Sequence, residues 1–256
     1  SLTAAAGARR SGKLFAVALL VFAAGCQSSG SAPDPQPDLS DDAGVELTEI
    51  RSLYAAPDCY LASFSIKGRA GGQAEQEARG VIRADNLNQR LLLIFKDPFL
   101  GITLSRVVIK DGTVIISNPR TDLQRIPLDQ FQMRGLGNNG IQLPFSVFSD
   151  QQFARLPEQL FSASATRELT GTELNVRWEA APEKFRYRFD ARRLREINYQ
   201  RGAVDVQVKL SGNYGRTVFP ARIDLQTLSP GRDRMGIRFL SINPGATCRE
   251  SQFSDR

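Results

Sequence analysis

RLLLIFKDPFLGITLSRVVIKDG, residues 90–112, reads as two strands and the turns that bound them. Arg90 to Phe95 is a strongly apolar strand, Pro98-Phe99-Leu100-Gly101 turns the chain, and Ile102 to Lys110 forms the next strand. Asp111-Gly112 is a hairpin signal, and Thr113 to Ser117 completes that pair. Phe99 and Leu100 stand out because two large apolar residues lie beside Pro98 and Gly101 at a turn. Either they protrude into solvent or the turn folds back onto the rest of the domain.

Working outward, the same period-two signature recurs. On the N-terminal side Tyr60, Ala62, Phe64, Ile66 and Gly68 alternate with Leu61, Ser63, Ser65, Lys67 and Arg69. That is the pattern of a half-buried strand. Gly71-Gly72 turns the chain and Ala78 to Ala84 returns it. On the C-terminal side the period changes: Leu128 to Leu136 and Phe145 to Leu156 space their large apolar residues at helix-like intervals and predict two short amphipathic helices. Strands resume at Glu173 to Glu179, at Phe185, Tyr187 and Phe189 alternating with Arg186, Arg188 and Asp190, and at 194–199, 204–210, 219–225 and 236–242. About ten strands at short spacing, interrupted once by helices, predict a mainly β protein. The expected architecture is a single curved antiparallel sheet or half-open β-barrel, with the short central helices packed over it.

The N-terminus carries a different signal. Arg9-Arg10 and Lys13 precede an apolar run from Leu14 to Ala24, and Ala23-Ala24-Gly25 leads into Cys26. A charged stretch, a short apolar core and small residues before the cut describe a secretory signal. Eleven apolar residues fall short of the roughly 20 that span a bilayer. The motif resembles the lipobox of bacterial lipoproteins, which implies acylation of Cys26. Residues 26–46, with Pro33, Pro35, Pro37 and several aspartates, lack the apolar surface to fold and read as a flexible linker. The expected organisation is therefore a signal peptide at 1–25, an acylated N-terminus and linker at 26–46, and one β-rich domain at 47–256. That domain opens on a short helix running from about Glu46 to Tyr54, before Pro57.

Composition narrows the function. The 256 residues carry a formal charge of +6, of which three positive charges precede Cys26, leaving too little to argue for nucleic acid. With Cys26 acylated, Cys59 and Cys248 remain as an even pair in an oxidising compartment, where they form either a disulfide or two buried thiols. The chain has no histidine, which removes Ser-His-Asp and Cys-His catalysis and most zinc sites. No lysine has a serine three residues upstream. The sequence thus points to no enzyme, no metal and no cofactor. Arg186 and Arg188 share the outer face of their strand, either as ordinary solvated charges or as contacts for anionic lipid headgroups.

The order of parts resembles the lipoprotein-localisation carriers LolA and LolB. The resemblance rests on the lipobox, on strands carrying a Pro-Phe-Leu-Gly turn, on central helices and a second run of strands, and above all on residues 90–112. It implies a half-open barrel whose concave apolar face, lidded by helices, receives acyl chains of lipids or lipoproteins. On that reading Phe64, Ile66, Leu91, Leu93, Phe95, Phe185, Tyr187, Phe189, Phe219, Ile223 and Leu225 line the cavity, and Phe145, Phe148 and Phe153 belong to the lid. Alternatively these residues form a filled core. Phe99 and Leu100 correspond to an apolar loop that contacts the membrane in the anchored member of the family. Gln27 after the acylated cysteine favours the outer membrane, facing the periplasm. Expected partners are acyl chains, the membrane through the N-terminal anchor, and a periplasmic carrier or envelope protein. The alternative function is a structural or assembly lipoprotein that scaffolds an envelope complex.

Overall fold

Alternation along a strand sends every second side chain to one face, and the strands of this chain share one face that is mainly apolar from β5 across to β8. The computed structural model describes residues 42–54, 57–69, 74–119, 121–128, 156–215, 217–229 and 233–254. A helix, α1 (Asp42–Leu53), precedes β1 (Cys59–Arg69), β2 (Gln76–Asp85), β3 (Arg90–Lys96), β4 (Thr103–Lys110), β5 (Thr113–Asn118) and β6 (Thr121–Pro127). The second half holds β7 (Thr166–Thr170), β8 (Glu173–Ala180), β9 (Glu183–Asp190), β10 (Arg193–Arg201), β11 (Val204–Ser211), β12 (Arg222–Ser229) and β13 (Arg234–Asn243). Single 3-10 turns lie at Glu158–Phe161 and Glu250–Phe253.

These thirteen strands form one antiparallel sheet in the order β6-β5-β4-β3-β2-β1-β13-β12-β11-β10-β9-β8-β7. Two meanders meet at its centre, where β1 pairs with β13. Strands β6 and β7 are its edges, so among the described residues the sheet does not close into a barrel. Register shifts interrupt the β1–β13, β3–β4, β9–β10 and β11–β12 pairs. Each extra residue bends its strand and increases the local twist, which curves a sheet of this width.

The inner face holds the main core. Cross-strand register brings Phe64 opposite Gly80, Leu93 opposite Val107, and Tyr187 opposite Ile197. Phe64 and Phe95 meet edge to face at 5.9 Å, while Phe185 stacks on Tyr187 at 5.7 Å and touches Tyr199 at 4.9 Å. Helix α1 packs against β7 and β8 and buries Leu47 and Ile50 completely. Its attachment is polar as well as apolar. Arg192, in the β9–β10 turn, binds Glu46 at 2.9 Å and also Glu49, and the Leu194 backbone N–H donates to the Tyr54 hydroxyl at 2.9 Å.

The outer face is polar except over β3 to β5. There Leu92, Val108 and Ile115 form a second small core under Phe253, which is 1% exposed. Cys59 on β1 and Cys248 form a disulfide with Cα atoms 5.6 Å apart, tying the C-terminal segment to this face. Arg83 Nη1 donates to the Thr247 carbonyl at 2.7 Å and Arg106 Nη2 to that of Gln252 at 3.3 Å. The near-continuous apolar run of β3 is therefore apolar because both its faces are covered, not because the strand sits in a parallel sheet.

Three expectations shift. The helix starts at Asp42, so the last residues of the segment read as a linker are helical. Strands β6 and β7, which the sequence does not announce, are mostly exposed edges with little apolar alternation. Of the two expected central helices, residues 129–155 lie outside the described residues. Leu128 directly follows β6, and Leu156 precedes the Glu158–Phe161 turn without being helical.

Candidate functional site

The inner face is where the candidate residues converge. Phe64 and Ile66 come from β1, Leu91, Leu93 and Phe95 from β3, Phe185, Tyr187 and Phe189 from β9, and Ile223 and Leu225 from β12. Phe219 belongs to the same cluster but sits in the loop before β12, not on the strand expected from 219 onward, and stacks on Tyr60 at 5.2 Å. All eleven are buried except Ile66, which is half-buried. Phe145, Phe148 and Phe153, expected in the lid, lie outside the described residues, as does Cys26.

Several contributors to this face are not among the cavity candidates of the sequence, although Tyr60 stands in the alternating face of its strand. Tyr60, Ile82, Val107, Val176, Tyr199, Val206, Val208 and Phe239 are buried in the same cluster. Their signal is the same alternation that marked the others, and it was legible on each of their strands. Helix α1 adds Leu47 and Ile50.

Very little on this face is polar. The Tyr60 hydroxyl is buried without a hydrogen-bond partner among the described residues, and burial pushes its pKa up. The Tyr199 hydroxyl donates to Glu183 Oε1 at 3.0 Å; burial, reinforced by that carboxylate, raises its pKa too. Both phenols stay protonated at neutral pH, so the face presents hydroxyl groups rather than charges. The face is hydrocarbon in character, and its side chains bury one another. Among the described residues no group of three or more Asp, Glu, Cys or His side chains is placed to hold a metal ion.

The opposite face of β8 to β11 is organised by charge. Arg188 lies 3.6 Å from Glu173 and 3.1 Å from Glu196. Glu196 also accepts from Asn198 and Gln207 at 3.0 and 2.8 Å. Partial burial pushes its pKa up, but these hydrogen bonds and Arg188 outweigh burial and hold it below the usual carboxylate value. Arg188 is thus committed to its neighbours, whereas Arg186 is exposed.

The β3–β4 turn resolves the choice between protruding and folding back. Phe99 is 90%, Leu100 74% and Ile102 57% exposed. The turn is nonetheless built: Asp97 Oδ1 accepts the Phe99 and Leu100 backbone N–H groups at 2.8 and 2.7 Å, and Gly101 N–H donates to the Asp97 carbonyl at 3.0 Å. Gly101 takes φ +68°, a conformation that favours glycine. An ordered turn thus holds three large apolar side chains in water, the kind of exposed patch that marks an interaction surface.

No family model and no curated protein sequence matches the chain. Solved structures do. A LolA superfamily protein from Nitrosomonas europaea aligns with TM-score 0.56 at 11% identity, covering 83% of this chain and 97% of its own. A DUF1329 family protein from Desulfovibrio piger aligns with TM-score 0.58 at 8% identity, covering 84% of this chain and 98% of its own. At such identities the likeness establishes the fold: this chain has a LolA-like fold.

Proposed function

We propose that this protein is a non-enzymatic carrier or receptor for acyl chains of lipids or lipoproteins, held at the periplasmic side of the outer membrane by an acylated Cys26. The observation that carries the reading is the mainly apolar inner face, contributed by strands from both meanders, of a sheet that does not close among the described residues. An acyl chain in water exposes on the order of 10 kcal/mol of apolar surface, at about 0.8 kcal/mol per methylene. Transfer between membranes requires a protein surface that replaces that environment and then releases the chain. An open sheet supplies such a surface, because its two edges can part without breaking strand pairs.

The exposed β3–β4 turn fits the second half of that task. Phe99, Leu100 and Ile102 form an apolar tip that meets the bilayer where cargo leaves.

Native mass spectrometry of protein purified without detergent tests the reading. The expected result is a population carrying one acylated molecule, which unlabelled palmitate exchanges. Protein that carries no lipid and takes up none from vesicles would overturn it and leave a scaffolding role.

A further inference from the structure

Resting on the reading of the β3–β4 turn as a bilayer contact, we propose that this end of the sheet recognises an anionic lipid surface, with Arg79 and Lys96 as ligands for the lipid phosphates. Arg79 on β2 and Lys96 on β3 are direct register partners. Their neighbours Gly80 and Phe95 face inward, so both cations face outward, and Lys96 is the last residue before the turn. Like charges directly opposed across two strands weaken a sheet. Neither cation has an ion-pair or hydrogen-bond partner among the described residues.

Two carboxylates close to them in sequence are engaged. Asp97 accepts the backbone N–H groups of Phe99 and Leu100, and Glu77 is bound to Lys67 at 3.1 Å. A second opposed pair, Arg69 and Arg234, closes the β1–β13 ladder at the same end of the sheet. The arrangement is that of a surface-binding element: an apolar tip that reaches the acyl boundary and cations a few residues behind it, at headgroup depth. Charge complementarity selects a phosphate-bearing bilayer over a neutral one. An anionic surface also removes the repulsion that the pair carries in water.

The test uses the full chain with Cys26→Ser and Leu100→Cys, labelled at the new thiol with a solvatochromic fluorophore; Cys59 and Cys248 are bonded to each other and do not react. The label reports the surroundings of the turn itself, whatever else holds the chain to a membrane. The emission should shift blue at lower lipid concentration on vesicles of phosphatidylcholine with phosphatidylglycerol than on phosphatidylcholine alone. Arg79→Gln and Lys96→Gln should each raise the half-saturating concentration about fivefold on the anionic vesicles only. Both variants should keep or raise the unfolding midpoint without vesicles, because each relieves the like-charge pair. Equal half-saturation on both vesicle types overturns the anionic selection and leaves the turn as a bilayer contact. A lowered midpoint assigns the cations a structural role and overturns it as well. No shift on any vesicle, or a shift only with added envelope protein, overturns both readings.

Discussion

Gly80 decides how the Phe64 ring lies across β2. A Cβ at this position would come within 2.2 Å of the Phe64 ring, so any larger residue must displace an aromatic side chain at the centre of the inner face. Gly80→Ala is expected to cost roughly 1–3 kcal/mol in urea unfolding, the usual penalty for overpacking a core. An unchanged midpoint would mean the ring moves freely. Tyr60 makes the opposite case. Its hydroxyl is buried without a partner among the described residues, so Tyr60→Phe should raise stability by about 1 kcal/mol, and a loss would reveal a hidden partner. Glu196 sets a pH dependence. Its folded pKa lies below its unfolded value, so its contribution is present above about pH 4.3, the unfolded pKa, and is lost as pH falls through the folded pKa. Unfolding followed across that acid range should show a slope that Glu196→Gln reduces; an identical slope in the variant would place the effect elsewhere.

At the scale of elements, the C-terminal segment acts as a clasp on the outer face. Phe253→Ala should cost about 3 kcal/mol or more, since Leu92, Val108 and Ile115 lose their cover. Replacing both Cys59 and Cys248 by Ser releases a closure spanning a separation of 189 residues, for which chain entropy gives up to about 5 kcal/mol. Calorimetry should show both losses, and a double variant as stable as the parent would contradict the clasp. The two cysteines were readable in the sequence as a pair, but what they fasten was not: Phe253 lies in a short polar tail with no periodicity. The central strands were readable because Tyr60 to Ile66 and Phe185 to Phe189 alternate cleanly. Edge strands β6 and β7 were not, because an edge buries little and shows solvent-facing residues such as Asp122, Gln124 and Glu168.

For the whole molecule, the strands from β5 across to β8 share one apolar surface, and the chain that builds it runs from the centre of the sheet to one edge and then from the opposite edge back to the centre. The residues of that surface were legible from alternation, strand by strand. The number of strands and the β1–β13 closure were not, since pairing between segments almost a chain length apart leaves no local trace. Cys26→Ser should move the protein from membrane to soluble fractions; retention after a high-salt wash would contradict the anchor. The claim that the inner face receives acyl chains is tested most directly by photo-crosslinking with a fatty acid carrying a diazirine near its methyl end, followed by peptide mapping. The expected adducts lie on the inner-face residues of β1, β3, β9 and β12, among them Phe64, Leu93, Tyr187 and Leu225, and disappear when unlabelled palmitate is in excess. Adducts confined to the outer face, or labelling that palmitate does not compete away, would contradict it.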